Sequence, residues 1–169
     1  MEMTRRQLLR WTTTLGLAST VVGTIQLYRW WDTDPDTPFA NLNTLEASVV
    51  RAVGRGAFPS GDTIALNGEE ASLDRFFDTL LTSMTDENRV LLKLLLEAVE
   101  RTSLLSHGTF FTSLSSIEQQ QCIESWLDSS NALFRSAIQS LVVLLGMGYT
   151  AHPKASAHLS RYFRCGFGA

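Results

Sequence analysis

The chain has 169 residues, of which 44% are hydrophobic, and this is enough for one domain with a substantial core. Fourteen lysines and arginines stand against 17 acidic residues, and four of the arginines lie among the first thirty residues. Setting those four and Glu2 aside leaves 10 basic and 16 acidic residues. This balance argues against nucleic-acid binding, which needs a basic face.

The N-terminus carries paired arginines ahead of a modest apolar run. Arg5 and Arg6 are followed by Leu8 and Leu9, and residues 11–28 hold no charge. The arrangement resembles a twin-arginine (Tat) export signal, with Arg10 where lysine is common. Tat signals direct folded proteins across the inner membrane, often with a cofactor bound. We therefore expect recognition by the Tat translocase and a periplasmic location.

Two fates of this leader remain open. The apolar run, Trp11–Tyr28, is near the lower length limit for spanning a bilayer, and no clean Ala-x-Ala cleavage site follows it. It is either a cleaved signal peptide or a retained inner-membrane anchor. A core helix of the mature fold is the third reading. We divide the chain into this leader (residues 1–31), an acidic linker with two prolines (residues 32–41) and a domain (residues 42–169).

After the linker the pattern is helical. A first helix begins at Asn43 or Thr44 and ends near Gly54–Gly56, with Leu45, Val49 and Val53 as its buried stripe. A second begins at Ser72 or at the acids Glu69 and Glu70, with its apolar positions at Leu73, Phe76, Phe77, Leu80 and Leu81. The third, from Asp86 to about Leu105, has leucines around more than half of its circumference. It is therefore predicted to be the central helix.

Two further helices follow. Ser115 and Glu118 form a capping box that opens the fourth helix, with Ile117, Cys122, Ile123, Trp126 and Leu127 as its apolar positions. The fifth runs from Ala132 to about Met147, and a tail with one short segment follows from Ala151. The predicted fold is all-α, a single orthogonal helical bundle of about five helices after the N-terminal signal or anchor helix.

Motifs for catalysis or cofactor binding are missing from the sequence. It has no nucleotide-binding glycine pattern, no Cys-x-x-Cys and no His-Glu-x-x-His, so we assign no catalytic, cofactor or metal residues. Cys122 and Cys165 either pair in the periplasm or leave Cys122 as a small buried residue. A stand-alone exported enzyme or metal-binding protein would have to use its three histidines, His107, His152 and His158.

Aromatic residues outside the helical stripes are candidates for a partner interface. Interfaces concentrate aromatic side chains and arginine. The C-terminal tail, which mixes the two, is the best single candidate. The full set is Phe58, Phe110, Phe111, Tyr149, Arg161, Tyr162, Phe163, Arg164 and Phe167.

The order of several motifs resembles subunit 3, the small or gamma subunit, of membrane-bound gluconate 2-dehydrogenase and related sugar and alcohol dehydrogenases. The motifs follow the leader in chain order over roughly residues 42–169. They are Phe58-Pro59-x-Gly61-Asp62, Asp74-x-x-Phe77, Arg89 opening a leucine-rich helix, Phe110, Leu114-Ser115-x-x-Glu118-Gln119, a helix containing Trp126, and Tyr149-x-x-His152-Pro153.

The resemblance implies a non-catalytic subunit that binds no cofactor itself. Its partner would be a large FAD-dependent subunit of the glucose-methanol-choline type, commonly with a multiheme cytochrome c as a third subunit. The small subunit would assist export and maturation of a flavoprotein that has no signal of its own. The alternative is a membrane-anchored helical scaffold unrelated to flavoproteins.

Overall fold

Six α-helices and one 3-10 turn make up the regular structure. The computed structural model describes residues 38–61, residue 64 and residues 66–162, without the side chain of Tyr162. In this part of the chain there is no β-strand, which confirms the all-α prediction. The helices are α1 (Thr44–Ala57), α2 (Leu73–Thr82), α3 (Asp86–His107), α4 (Ser116–Leu127), α5 (Ala132–Ala151) and α6 (Pro153–Tyr162), with the 3-10 turn at Phe111–Ser113 between α3 and α4.

Several predicted positions lie outside the described residues. They include the whole leader with its four export-signal residues, most of the linker, and the end of the C-terminal tail. The leader and the tail therefore remain predictions. The residues concerned are Arg5, Arg6, Leu8, Leu9, Phe163, Arg164, Cys165 and Phe167.

Two helices begin at reciprocal capping boxes, as the sequence predicts for one of them. The Ser115 hydroxyl accepts from the backbone N–H of Glu118, whose carboxylate accepts from the backbone N–H of Ser115. Asn43 and Glu46 do the same for α1, with both N···O distances at 2.8 Å. Each box satisfies backbone donors that have no partner inside the helix. The starts of α1 and α4 are thus encoded locally.

Helix α1, and not α3, is the central helix. It packs against α2, α3, α4, α5 and the 3-10 turn, whereas α3 packs mainly against α1 and that turn. Many of the leucines of α3 are half-exposed, and Leu105 is 92% exposed. The prediction of a central α3 is therefore wrong. Small residues on the buried face of α1, such as Ala47 and Ala52, let neighbouring helices approach closely on several sides.

The glycine-rich end predicted for α1 is a helix–helix contact. The helix continues through Gly54–Gly56 to Ala57. A Cβ added at Gly56 would lie 3.0 Å from the backbone carbon of Gln119 and 2.9 Å from Cδ1 of Ile123, both on α4. Glycine therefore marks the closest approach of α1 to α4 and not a chain break.

Helix α5 is also longer than predicted, because it continues through two glycines to Ala151. A Cβ at Gly148 would lie 2.4 Å from Cδ1 of Phe76 on α2, so the ring of Phe76 occupies the space that any other residue would fill. The predicted short tail segment is the complete helix α6. Proline suits the first position of α6, where its missing N–H costs nothing.

One buried carboxylate holds the segment that enters the fold. Asp78 on α2 accepts three backbone hydrogen bonds, from Ala40 at 2.9 Å, Asn41 at 2.7 Å and Leu42 at 3.0 Å. Hydrogen bonds to a charged acceptor are stronger than neutral ones. Residues 40–42 are thereby fixed against α2, and Leu42 is placed in the core.

We predict that Gly148→Ala lowers the free energy of unfolding by about 1–3 kcal/mol, because the new methyl group collides with Phe76. Gly146→Ala is the matched control on the same helix. The nearest atom to its added Cβ is 3.7 Å away, so it should be neutral or stabilising by up to about 1 kcal/mol. Urea unfolding followed by circular dichroism measures both. Equal effects would contradict the close contact of α5 with α2.

Candidate partner-binding surface

Two of the predicted interface aromatics bind each other instead of lying free on the surface. The rings of Phe58 and Tyr149 stack with centroids 4.8 Å apart and planes within 14°. The Tyr149 hydroxyl donates to the carbonyl of Leu66 at 2.8 Å, and burial raises the pKa of Tyr149. Both side chains are half-buried. The pair fastens α5 to the end of α1 and to the following loop.

The adjacent phenylalanines differ in exposure. Phe111 is fully buried and packs against Trp126 with ring centroids 5.2 Å apart, so its prediction as a surface residue is wrong. Phe110 is 47% exposed, and Arg161 on α6 is also exposed. The 3-10 turn explains the difference, because it directs Phe111 inward at the point where the chain passes from α3 to α4.

An apolar stripe that the sequence assigned to the core lies on the outside of α3. We define the α3 stripe as Leu91, Leu94, Ala98 and Leu105. Leu91 is 61% exposed, Ala98 is exposed and Leu94 is half-buried. Leu91, Ala98 and Leu105 recur every seven residues, so they lie along one side of the helix. Such spacing is typical of a helix that packs lengthwise against another surface.

Ionic contacts fix the rotation of α3 that turns this stripe outward. Lys93 Nζ lies 3.2 Å from the Glu46 carboxylate of α1, and Glu46 is only 1% exposed. Glu97, one turn further along α3, is also buried and is paired with Arg101. A buried charge without its partner is costly, so rotating α3 to bury the stripe would break the contact with Glu46.

A second polar contact secures the far end of α3. The Glu100 carboxylate accepts from the backbone N–H of Thr112 at 3.0 Å and from its hydroxyl at 2.7 Å. The Ser103 hydroxyl, which is fully buried, donates to the carbonyl of Thr109 at 2.7 Å. These bonds tie the inward side of α3 to the turn that follows it. Like the Glu46–Lys93 pair, these bonds keep the same side of α3 turned toward the rest of the bundle.

A serine, a histidine and a cysteine meet where α3 ends. The Nδ1 atom of His107 lies 2.8 Å from the hydroxyl of Ser106 and 3.6 Å from Sγ of Cys122. Cys122 is only 3% exposed, and burial together with the nearby Glu118 raises the pKa of its thiol. The neutral thiol is a poor nucleophile, so this contact has the character of structural packing.

The three histidines do not meet at a common site. His107 lies at the end of α3, while the ring of His152 accepts from the backbone N–H of Lys154 at 3.3 Å. Among the described residues, no three His, Cys, Asp or Glu side chains are close enough together to bind one metal ion. What the described part of the chain does offer is uncovered apolar surface.

No family model, no curated protein and no solved structure matches this chain. The resemblance to the gluconate 2-dehydrogenase small subunit thus rests on the order of motifs in the sequence. The structure adds the positions of those motifs. Phe58 and Tyr149 stack on each other, Asp74 and Phe77 lie on α2, and Trp126 lies in the core.

Glu46 and Glu118 should contribute to the free energy of unfolding with opposite dependences on pH. Burial raises the pKa of Glu46 above its ordinary value of 4.5, although Asn43 and Lys93 act against this. Its contribution to the free energy of unfolding therefore falls as pH rises from 4.5 through the raised pKa. Hydrogen bonds from the side chain and backbone of Ser115 lower the pKa of Glu118. Its contribution is complete above 4.5 and is lost as pH falls through the lowered pKa.

We therefore expect the stability difference between the wild type and Glu46→Gln to decrease with rising pH above 4.5. The difference between the wild type and the control Glu118→Gln should increase with rising pH below 4.5. Urea unfolding at a series of pH values measures both differences. Slopes of the same sign for the two variants would contradict this account of Glu46.

Proposed function

We propose that this chain is a non-catalytic small subunit of a periplasmic FAD-dependent dehydrogenase complex, which assists Tat export, maturation and stability of the flavoprotein subunit. The observation that carries the proposal is the α3 stripe, an apolar surface held outward by the ion pair of Lys93 with the buried Glu46. In the proposed complex the flavoprotein holds the FAD, and a multiheme cytochrome c is commonly the third subunit of such complexes.

The stripe has the dimensions of a protein contact. From Leu91 to Leu105 it extends over fourteen residues, or roughly 21 Å of helix. Phe110, half exposed, follows shortly after α3 ends. Covering one leucine fully is worth about 1.5–3 kcal/mol. Several such side chains in one line form the apolar centre expected of a heteromeric interface.

The predicted export signal supplies a reason for this chain to bind a partner. The Tat pathway exports folded proteins, so a chain with a twin-arginine signal can carry a bound partner that has none. The sequence motifs for cofactor binding are absent from this chain. The proposal therefore assigns catalysis and FAD to the partner, and export together with stabilisation to this subunit.

Replacing Arg5 and Arg6 by lysine should leave the partner's dehydrogenase activity in the cytoplasm, because Tat recognition depends on the arginine pair. Arg10→Lys, which matches the common signal pattern, is the control and should leave export intact. Dehydrogenase activity in periplasmic and cytoplasmic fractions is the measurement. Activity that still reaches the periplasm with the double variant contradicts the carrier role.

Leu105→Arg should reduce recovery of the flavoprotein with the tagged subunit by about tenfold or more, because a charge replaces the most exposed leucine side chain of the stripe. Ile117→Arg is the matched control, since Ile117 is 68% exposed but lies on α4. Both substitutions are at the surface, so unfolding free energies should change by no more than about 0.5 kcal/mol. If both variants lost the flavoprotein equally, the α3 stripe would not be the surface that binds it. A tagged wild-type chain that recovers no flavoprotein would favour the scaffold alternative.

A further inference from the structure

Helix α5 has a second uncovered face, which carries no charge. Its exposed positions recur with spacings of three and four residues, so they form one continuous line. We call this line the α5 face. Leu133 is 84% exposed, and Val143 and Met147 are each 57% exposed. The members are Leu133, Ser136, Ser140, Val143, Met147 and Thr150.

The polar groups on this face are compatible with its burial. The Ser140 hydroxyl donates to the backbone carbonyl of Ser136 at 2.8 Å, and the Thr150 hydroxyl donates to that of Met147 at 3.0 Å. Hydroxyls that bond to their own helix can leave water without losing their partner. Covering the face would therefore leave neither of these donors unsatisfied.

The order of residues along the face is self-complementary. Helix α5 has twenty residues, and its midpoint falls between Leu141 and Val142. In an antiparallel pair related by a two-fold axis at this midpoint, Val143 lies opposite Ser140 of the other copy. Met147 then lies opposite Ser136, and Leu133 opposite Thr150. Each larger apolar residue meets a smaller one, which is how packed layers interdigitate.

The charges beside α5 fit the same arrangement. Between Arg101 and Arg135 the sequence has acidic residues and no lysine or arginine, and after Asp128 it has lysine and arginine but no acid. Exposed Glu124 and Asp128 precede α5, and exposed Lys154 and Arg161 follow it. Antiparallel pairing places the acidic end of each copy beside the basic end of the other, so the same contact forms at both ends of the pair. Such complementarity fixes register and orientation.

We propose that α5 pairs with α5 of a second copy of this chain to form an antiparallel, two-fold symmetric homodimer. The α5 helix is about 30 Å long, and a contact about 10 Å wide gives less than the roughly 800 Å² per partner of a typical stable complex. In the proposed dimer the charged residues that precede α5 on α4 and follow it on α6 add to this contact area. For a contact at the small end of the range we expect weak association, with a dissociation constant on the order of micromolar.

A membrane is the other candidate occupant of this face. By length and composition, α5 is able to cross a bilayer, with a mean hydropathy of 1.4 and 22% of it buried in the bundle. Its inward side is packed, with Ile138, Leu141 and Leu145 in the core. Helices that lie on anionic lipid are flanked by basic residues on their polar side. Basic residues flank α5 only on its C-terminal side, whereas Glu124 and Asp128 precede it, so one end of the helix does not fit that pattern.

The first experiment is sedimentation equilibrium of the full chain up to about 100 µM, which covers micromolar dissociation constants. We expect a monomer–dimer equilibrium. Val143→Arg should raise the dissociation constant at least about tenfold, because two charges would meet near the two-fold axis. Leu91→Arg on α3, with similar wild-type exposure, is the control and should leave the constant unchanged.

Three outcomes overturn the proposal. They are a chain that stays monomeric over this range, a dimer that Val143→Arg leaves intact, and a dimer that both variants weaken equally. Binding to vesicles of phosphatidylglycerol and phosphatidylethanolamine by an otherwise monomeric chain, lost in Val143→Arg, would assign the face to lipid. Loss of the flavoprotein from a monomeric chain carrying Val143→Arg would assign the face to that partner.

Disulfide trapping tests the direction of the helices. In a Cys165→Ser background, Ser136→Cys chains mixed with Met147→Cys chains should form a mixed disulfide under mild oxidation. Ser136→Cys alone should not form one, because its two copies lie eleven residues or roughly 16 Å apart along the pair. Efficient cross-linking of Ser136→Cys with itself indicates parallel helices and overturns the antiparallel arrangement. Cys122 is present in every sample and is buried.

Discussion

The contact between Glu46 on α1 and Lys93 on α3 decides which surfaces this bundle shows to its surroundings. A hydrophobic helix normally rotates until its apolar side is covered. Here α3 carries ionic groups on the side that meets α1, and the carboxylate of Glu46 is almost completely buried. A buried carboxylate needs its partner nearby. Leu91 and Leu105 consequently face outward, and α3 keeps an uncovered apolar side at a cost in hydrophobic burial.

The packing of α1 makes this arrangement possible. Its small residues allow α2, α4 and α5 to form most of the core around it, and of the leucines of α3 only Leu96 is fully buried there. Gly56 brings α4 close on one side. Within the described residues, no buried side-chain nitrogen or oxygen is left without a hydrogen-bond partner. The buried polar side chains of this part of the bundle are therefore matched by partners within it.

Local signals in the sequence were sufficient for the fold class and for most helix positions. The capping box at Ser115, the acids that open α3 and the spacing of Leu73, Phe77 and Leu81 on α2 all act over a few residues, and all appear as predicted. The prediction that glycines end α1 and α5 is wrong, because Gly56 and Gly148 lie inside these helices and contact residues distant in sequence. A local pattern does not distinguish a glycine that ends a helix from one that admits a neighbour.

The candidate surfaces were harder to predict for a related reason. Periodicity shows which side of a helix is apolar, and it does not show whether the protein's own core or another molecule covers that side. For α3 the missing information was the pairing of Lys93 with Glu46, across nearly fifty residues of sequence. The exposure of Phe110 and the burial of its neighbour Phe111 likewise depend on a tertiary turn. Aromatic composition alone treated the two residues alike.

The carboxylate of Asp78 has a mechanical consequence. A force applied from the N-terminal side of the chain would load Phe39, which packs against the core, and then residues 40–42. Their three amides converge on one rigid carboxylate, so the bonds share tension and do not open one at a time. The last of the three residues, Leu42, also has its side chain buried in the core. A pull on the chain from that side would thus reach α2 through this anchor, because the carboxylate that holds residues 40–42 belongs to α2.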